Sequence, residues 1–246
     1  MIKLFFFSII FSFCLSGNFS ENKQLQNVLS EEELKDGWKL LWDGKTFEGW
    51  RGINKNYFPS NGWVIENGEL ICLGDQLPDS LRGGDIITLK KYGSFEFKIE
   101  FKIAKNANSG VKYFVDESLK SGPNHGLGLE YAILDNDNWP YDKPDYNRTC
   151  GSLYDLVRAP VSAVVKPYGE WNQALIKVEG NHITHWLNGI KTVDIIKDGP
   201  EYLQLLAKSK YTNIPEWGNF DQGHILLQYE GTKISFRNIK IRVHKY

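Results

Sequence analysis

The stretch Phe95-Glu96-Phe97-Lys98-Ile99-Glu100-Phe101-Lys102-Ile103 decides the class of fold. Apolar and charged residues alternate through it without a break. In an extended chain Phe95, Phe97, Ile99, Phe101 and Ile103 then share one face, and Glu96, Lys98, Glu100 and Lys102 the other. A helix would scatter the same residues around its circumference, whereas a strand sorts them into a core face and a wet face. Shorter runs of the same kind lie on both sides: Trp38–Trp42, Trp63–Glu66, Glu69–Leu73, Gly110–Val115, Gly128–Leu134, Trp171–Glu179, His182–Leu187, Ile190–Asp194, Ile225–Tyr229 and Ile234–His244. Asn67-Gly68, Gly180-Asn181 and Asn188-Gly189 separate several of them and are strong hairpin turns. About a dozen short strands of this spacing predict an all-β fold, a two-sheet antiparallel β-sandwich of jelly-roll type. One short N-terminal helix is expected as well, because Ser30-Glu31-Glu32-Glu33 forms a capping box and Gly37 closes the segment.

The chain has 246 residues, 41% of them hydrophobic and 24% charged, which is enough to bury one sizeable core. Eight Trp in a chain whose aromatic content is 14%, against a single Met, indicate an interior of aromatics and β-branched residues and so favour strands. A net charge of -1, with Lys and Arg dispersed among acids, leaves no basic excess for a phosphate backbone, so nucleic acid is not an expected partner. Residues 1–17 read as a signal peptide: Lys3 precedes the apolar run Leu4–Phe13, which is too short to span a bilayer. That predicts a periplasmic or secreted protein without a membrane span. Cys14 raises the alternative of a lipid anchor, which the bulky Phe13 directly before it disfavours. Residues 18–36 form a polar spacer and the short helix, and residues 37–246 the sandwich domain. Cys72 and Cys150 could pair after export, but a domain of this size needs no bridge and separate thiols are the preferred reading.

Two loops interrupt the strand pattern, residues 116–127 with His125 and residues 135–154, the latter dense in Asp, Asn, Tyr, Trp and Pro. Between them Glu130 stands in the apolar strand GLEYAILDN, where a carboxylate is costly unless it is paired, binds something or lines a groove. A groove is the preferred reading. Asp135 ends that strand, and Lys112 of the neighbouring strand is a candidate for substrate contact. His125 is a candidate base or ligand, and Gln228 and Glu230 share one face of a closing strand. Arg237 could hold oxygens through its fork of donors or form an internal ion pair. Trp139, Tyr141, Tyr146 and Tyr154 could stack on sugar rings or simply plug the sandwich. No phosphate-binding Gly loop, nucleophile elbow or HExxH motif is present, and His182 and His185, three apart on a strand, point to opposite faces.

The segments GWKLLWDGKTFEGWRG (37–52), Asn108-Ser109-Gly110, LEYAILDN (129–136), GSLYDL (151–156), GEWN (169–172), HWLNG (185–189), ILLQYEG (225–231) and FRNIKIR (236–242) together resemble the 3-keto-disaccharide hydrolase family. The resemblance implies a concanavalin-like sandwich, exported bacterial proteins, and cleavage of glycosides already oxidised at C3. It also implies that Glu130 and Asp135 match the family's acidic strand, His185 its HWLNG turn and Arg237 its closing motif. One departure stands out: many members carry Asp-His after Leu-Gln, where this chain has Tyr229-Glu230, so that role passes to Glu230 or is lost. The implied chemistry needs a base for the C2 proton, a stabiliser for the C3 oxyanion and an acid for the leaving group. Glu130 is the expected base or metal ligand, Asp135 and His125 are candidates for acid or metal, and Arg237 and Gln228 for holding sugar oxygens. A divalent metal ion would serve as Lewis acid on the ketone. The alternatives are an ordinary glycosidase using paired carboxylates and a non-catalytic carbohydrate-binding module.

Overall fold

A computed structural model describes residues 26–119, 121–138 and 147–244. The signal peptide read at residues 1–17, and Trp139, Tyr141 and Tyr146, lie outside the described residues. The helix α1 (Glu31–Lys35) carries the expected capping box, with Ser30 accepting from the Glu33 amide while the Glu33 side chain accepts from the Ser30 amide. There follow the short strands β1 (Lys39–Leu40), β2 (Trp50–Gly52), β3 (Trp63–Glu66) and β4 (Glu69–Cys72). Four longer ones come next: β5 (Ile86–Tyr92), β6 (Phe95–Ile103), β7 (Asn108–Val115) and β8 (Leu129–Leu134). The chain closes with β9 (Asn172–Glu179), β10 (His182–Leu187), β11 (Ile190–Ile196), the helix α2 (Pro200–Leu206), β12 (Gly223–Leu227) and β13 (Ile234–Val243).

Two antiparallel sheets result. The larger has the order β11-β10-β9-β6-β13-β4-β3, with β1 also paired to β13, and the smaller is β2-β5-β12-β7-β8. The five apolar residues of β6 all point between the sheets and are buried, beside Phe236 and Ile241 of β13 and Ile176 and Val178 of β9. Tyr113 and Tyr131 of the smaller sheet meet them from the other side, and each fully buried side chain of this size contributes roughly 1.5–3 kcal/mol. The charged face of β6 is less open to water than alternation alone implies. Glu96 and Glu100 are buried beneath ion pairs to Arg242 and Arg237, and the guanidinium groups of those arginines lie over the rings of Trp38 and Trp171.

Three elements differ from the sequence reading. Strands β2 and β5 were not expected, because Ile86 and Ile87 are both buried, one in the main core and the other in a small cluster with Ile53, Val115 and Leu226, so the strand shows no alternation. The helix α2 was also unexpected, although Gly199 at the N-cap and Pro200 in the first turn are its start signal. Cys72 and Cys150 are separate buried thiols, each pushed up to about 12 by burial. Among the described residues no helix is long and apolar enough to cross a membrane.

Candidate active site

In the smaller sheet β7 and β8 pair so that Lys112 lies opposite Glu130. Because side chains alternate along a strand, Lys112 and Glu130 point away from the core that Tyr113 and Tyr131 enter. They point into a cleft of about 790 Å³, whose walls come from residues 74–84, 121–127, 210–214 and 228–231 together with Tyr154. Gly110 is a glycine for this reason: a Cβ there would come within 2.9 Å of Glu130 Cγ and Oε1, so only a hydrogen leaves room for the carboxylate.

Lys112 Nζ lies 3.9 Å from Glu130 Oε2 and donates to the Gly126 carbonyl at 3.0 Å. Burial pushes the Glu130 carboxyl up to about 7, with Glu230 and Asp85 adding to the rise and the Lys112 and Lys210 charges opposing it. Asp85, fully buried, ties the cleft together. Its Oδ2 accepts from the Gly126 amide at 3.0 Å, its Oδ1 accepts from the Tyr229 amide at 2.8 Å, and His125 Nδ1 lies 3.8 Å from Oδ1. Asp85 outweighs partial burial and holds the His125 imidazole above its ordinary pKa. Gln228 is anchored by its backbone, its N–H donating to the Gly110 carbonyl and its carbonyl accepting from Ser109 Oγ. Its Nε2 donates to Glu230 Oε2 at 2.5 Å, and its Oε1 is buried without a partner. Tyr154, whose amide donates to the Glu130 carbonyl, and Tyr211, stacked on Trp217 at 3.9 Å, give the cleft an aromatic side.

The arrangement supplies a carboxylate able to gain or lose a proton near neutrality, a histidine backed by a buried aspartate, two lysines and flat rings. Such groups can accept and deliver protons and offer ring faces to a ligand. Residues 37–242 match the family model described as the 3-keto-alpha-glucoside-1,2-lyase-like domain. A 3-keto-disaccharide hydrolase of Bacteroides thetaiotaomicron is 35% identical over 235 residues, covering 85% of this chain and 79% of that protein. The chain belongs to the 3-keto-disaccharide hydrolase family. Two crystal structures of candidate glycosyl hydrolases from Parabacteroides distasonis share the fold. One is 30% identical with a TM-score of 0.79, over 90% of this chain and all of that one; the other is 28% identical with a TM-score of 0.60, over 84% and 99%. Membership in the 3-keto-disaccharide hydrolase family makes the chain a carbohydrate-active enzyme that cleaves glycosidic bonds.

Within this family member the cleft collects Glu130, Lys112, His125, Gln228, Glu230 and Tyr154 of the residues singled out from sequence. Three others lie elsewhere. Asp135 is five residues beyond Glu130, hence on the opposite face and roughly 16 Å along the strand. There Tyr168 Oη and the Asn106 amide donate to its Oδ2 at 2.6 and 2.8 Å, and these bonds outweigh burial to hold its carboxyl below the usual value. His185 is fully buried between the sheets, 3.0 Å from Tyr113 Oη, and burial lowers its pKa to about 3, so it is a neutral core residue. Arg237 lies on the outer face of the larger sheet, its Nε donating to Glu100 Oε2 at 2.6 Å, because β13 turns that face away from the cleft. Asp85, Lys210 and Tyr211 were not singled out. Asp85 precedes the unexpected β5, and Lys210 follows the unexpected α2.

The donor set does not fit the expected divalent metal ion. Among the described residues no three His, Cys, Asp or Glu side chains could hold one. Both oxygens of Asp85 are engaged by backbone amides, and the charges acting most strongly on Glu130 are those of Lys112 and Lys210, which would oppose a cation.

Proposed function

We propose that this enzyme cleaves 3-keto-glycosides by removing the C2 proton, expelling the C1 substituent and adding water, with Glu130 as the base. The observation that carries the reading is the buried Glu130 carboxyl, raised to about 7 by desolvation in a cleft that also holds cations. A base poised near the working pH is ionised in useful amount and still basic enough to take a carbon-bound proton. The ketone at C3 makes that proton acidic, because the electron pair left on C2 can move onto the C3 oxygen.

In the sequence of steps, the C2–H bond breaks and its proton passes to Glu130, leaving an enolate across C2, C3 and the C3 oxygen. The enolate then re-forms the ketone as the C1–O bond breaks, and the departing oxygen takes a proton from His125. Asp85 serves this step by favouring the protonated imidazole. Water adds across the resulting C1=C2 bond, its oxygen to C1 and a proton to C2, to release the free keto-sugar. Tyr154 and Tyr211 offer ring faces, and the unpartnered Gln228 Oε1 is an acceptor for a sugar hydroxyl. Residues 1–17 are proposed to direct export to the periplasm or beyond, which fractionation of cells expressing the full chain would check.

The test compares a 3-keto-disaccharide with its unoxidised parent, with and without prior chelation. Cleavage of the keto form alone, with deuterium entering C2 in heavy water and insensitivity to chelation, supports the proposal. Cleavage of the parent would replace it with an ordinary glycosidase, and binding without turnover with a sugar-recognition module.

A further inference from the structure

The two cleft lysines are not in the same condition. Lys112 is engaged, donating to the Gly126 carbonyl and standing 3.9 Å from Glu130. Lys210 lies on another wall, where its backbone amide donates to Asp155 Oδ2 at 2.7 Å and so fixes the start of its side chain. Its ammonium group rests 4.6 Å from the Tyr154 ring centroid and 5.1 Å from that of Tyr211. Among the described residues no carboxylate reaches it within ion-pair distance and no acceptor takes a hydrogen bond from it. An ammonium in water would satisfy three donors. This one is exposed on the cleft wall beside two rings, and no acceptor among the described residues is committed to its donors.

The neighbouring charges also bear on it. Burial lowers the pKa of Lys210, with Arg148 and Lys112 acting in the same direction while Glu130 and Asp155 oppose. Tyr211 cannot easily yield its place, because it is stacked on Trp217 with the planes 7° apart. The cation thus lies against two rings on the wall of the same cleft as Glu130, with its donors available to a bound ligand, and a donor placed where charge appears stabilises it during a reaction.

We propose that Lys210 is a catalytic residue, whose ammonium donates to the C3 oxygen of the bound keto-sugar and takes up the negative charge formed there when the C2 proton leaves. The inference rests on the proton-abstraction reading of the cleft. Lys112 then sets the charge of the base, and Lys210 receives the charge that the base creates. No bond forms between Lys210 and the sugar. The ammonium keeps its protons throughout, and the C3 oxygen returns to a ketone when the C1–O bond breaks.

The test uses the full chain and its Lys210→Met and Lys210→Arg variants, with turnover of a 3-keto-disaccharide and C2 deuterium exchange as readouts. Loss of one preorganised donor of this kind lowers kcat by about 10²–10³-fold, so that loss is expected in Lys210→Met, with KM little changed and C2 exchange slowed in parallel. Lys210→Arg keeps the charge and is expected to recover part of the rate. Unchanged circular dichroism shows that each variant is folded. A Lys210→Met enzyme within about threefold of the wild-type kcat would overturn the inference, since that is far short of the loss expected from one such donor. So would a sugar adduct on Lys210 trapped by cyanoborohydride, because that requires a covalent iminium. A wild-type enzyme that leaves the keto-disaccharide intact would instead remove the reading of the cleft itself.

Discussion

Lys112 and Glu130 face each other across the β7–β8 ladder, each more than nine-tenths buried, with Nζ and Oε2 3.9 Å apart. At that distance the pair attracts without a direct hydrogen bond, so the ammonium offsets only part of the cost of burying the carboxylate. The surplus is a carboxyl raised to about 7, a group that gains and loses its proton near neutral pH.

Glu130→Gln is expected to remove proton abstraction and to lower kcat/KM by about 10²–10⁴-fold. The same variant has a signature in stability. The folded carboxyl titrates near 7 against an ordinary 4.5, so its contribution to stability is full below about 4.5 and lost as the pH rises through about 7. Glu130→Gln should therefore melt higher than wild type at pH 8, and the gap should close towards pH 4. Thermal melts across that range check it, and a parallel offset at all pH values would contradict the buried raised carboxyl.

If His125 protonates the leaving oxygen, the need for it depends on how well that oxygen leaves. His125→Gln is expected to slow a 3-keto-disaccharide strongly and a 3-keto-nitrophenyl glycoside little, because nitrophenolate departs without an acid. In Asp85→Asn the imidazole loses the partner that raises its pKa, so the alkaline limb of the kcat/KM profile should move to lower pH. Equal losses on the two substrates would mean that His125 does something else.

His185 belongs to the core, and its variants should behave as core variants. In His185→Phe the Tyr113 hydroxyl loses its partner, at a cost of about 1–3 kcal/mol, while KM stays close to wild type. Burial favours the neutral imidazole, so the wild-type contribution is full above 6.5 and lost as the pH falls towards about 3. Acid unfolding should accordingly be blunted in this variant, which denaturant titrations at pH 7 and pH 4 would show.

Arg237→Gln, on the outer face of the larger sheet, is expected to leave turnover within about twofold. Its cost should appear in stability, because the buried Glu100 loses its ion pair and a buried charge stripped of its partner is expensive, about 3–5 kcal/mol where burial is complete. A rise in KM without loss of stability would place Arg237 at the substrate after all.

The two-sheet architecture was legible because its evidence is local. Alternation in residues 95–103, the Asn-Gly turns and the Ser30 capping box each act between near neighbours, and each reappears in the structure. The expectation that Glu130 faces a groove was legible for a similar reason, since a carboxylate in an apolar strand has few places to go. Strand β5 was not legible, because its isoleucines feed two different clusters and present no alternation. Asp135 and His185 lie outside the cleft that holds Glu130, and their motifs could not show this, because a motif records that positions are shared, and a folded core shares positions as strictly as a cleft does.

By itself, then, the sequence determined an antiparallel sandwich, the family to which the chain belongs and the buried acid at position 130, all carried by periodicity and by ordered motifs. Only the tertiary structure decided which charged residues share a cleft. Lys112, His125, Lys210 and Glu230 come from separate segments that meet in the cleft, with Asp85 buried behind them. Burial, and hence the protonation state of Glu130, arises from that meeting, because desolvation depends on everything packed around a group and on nothing in its own strand alone.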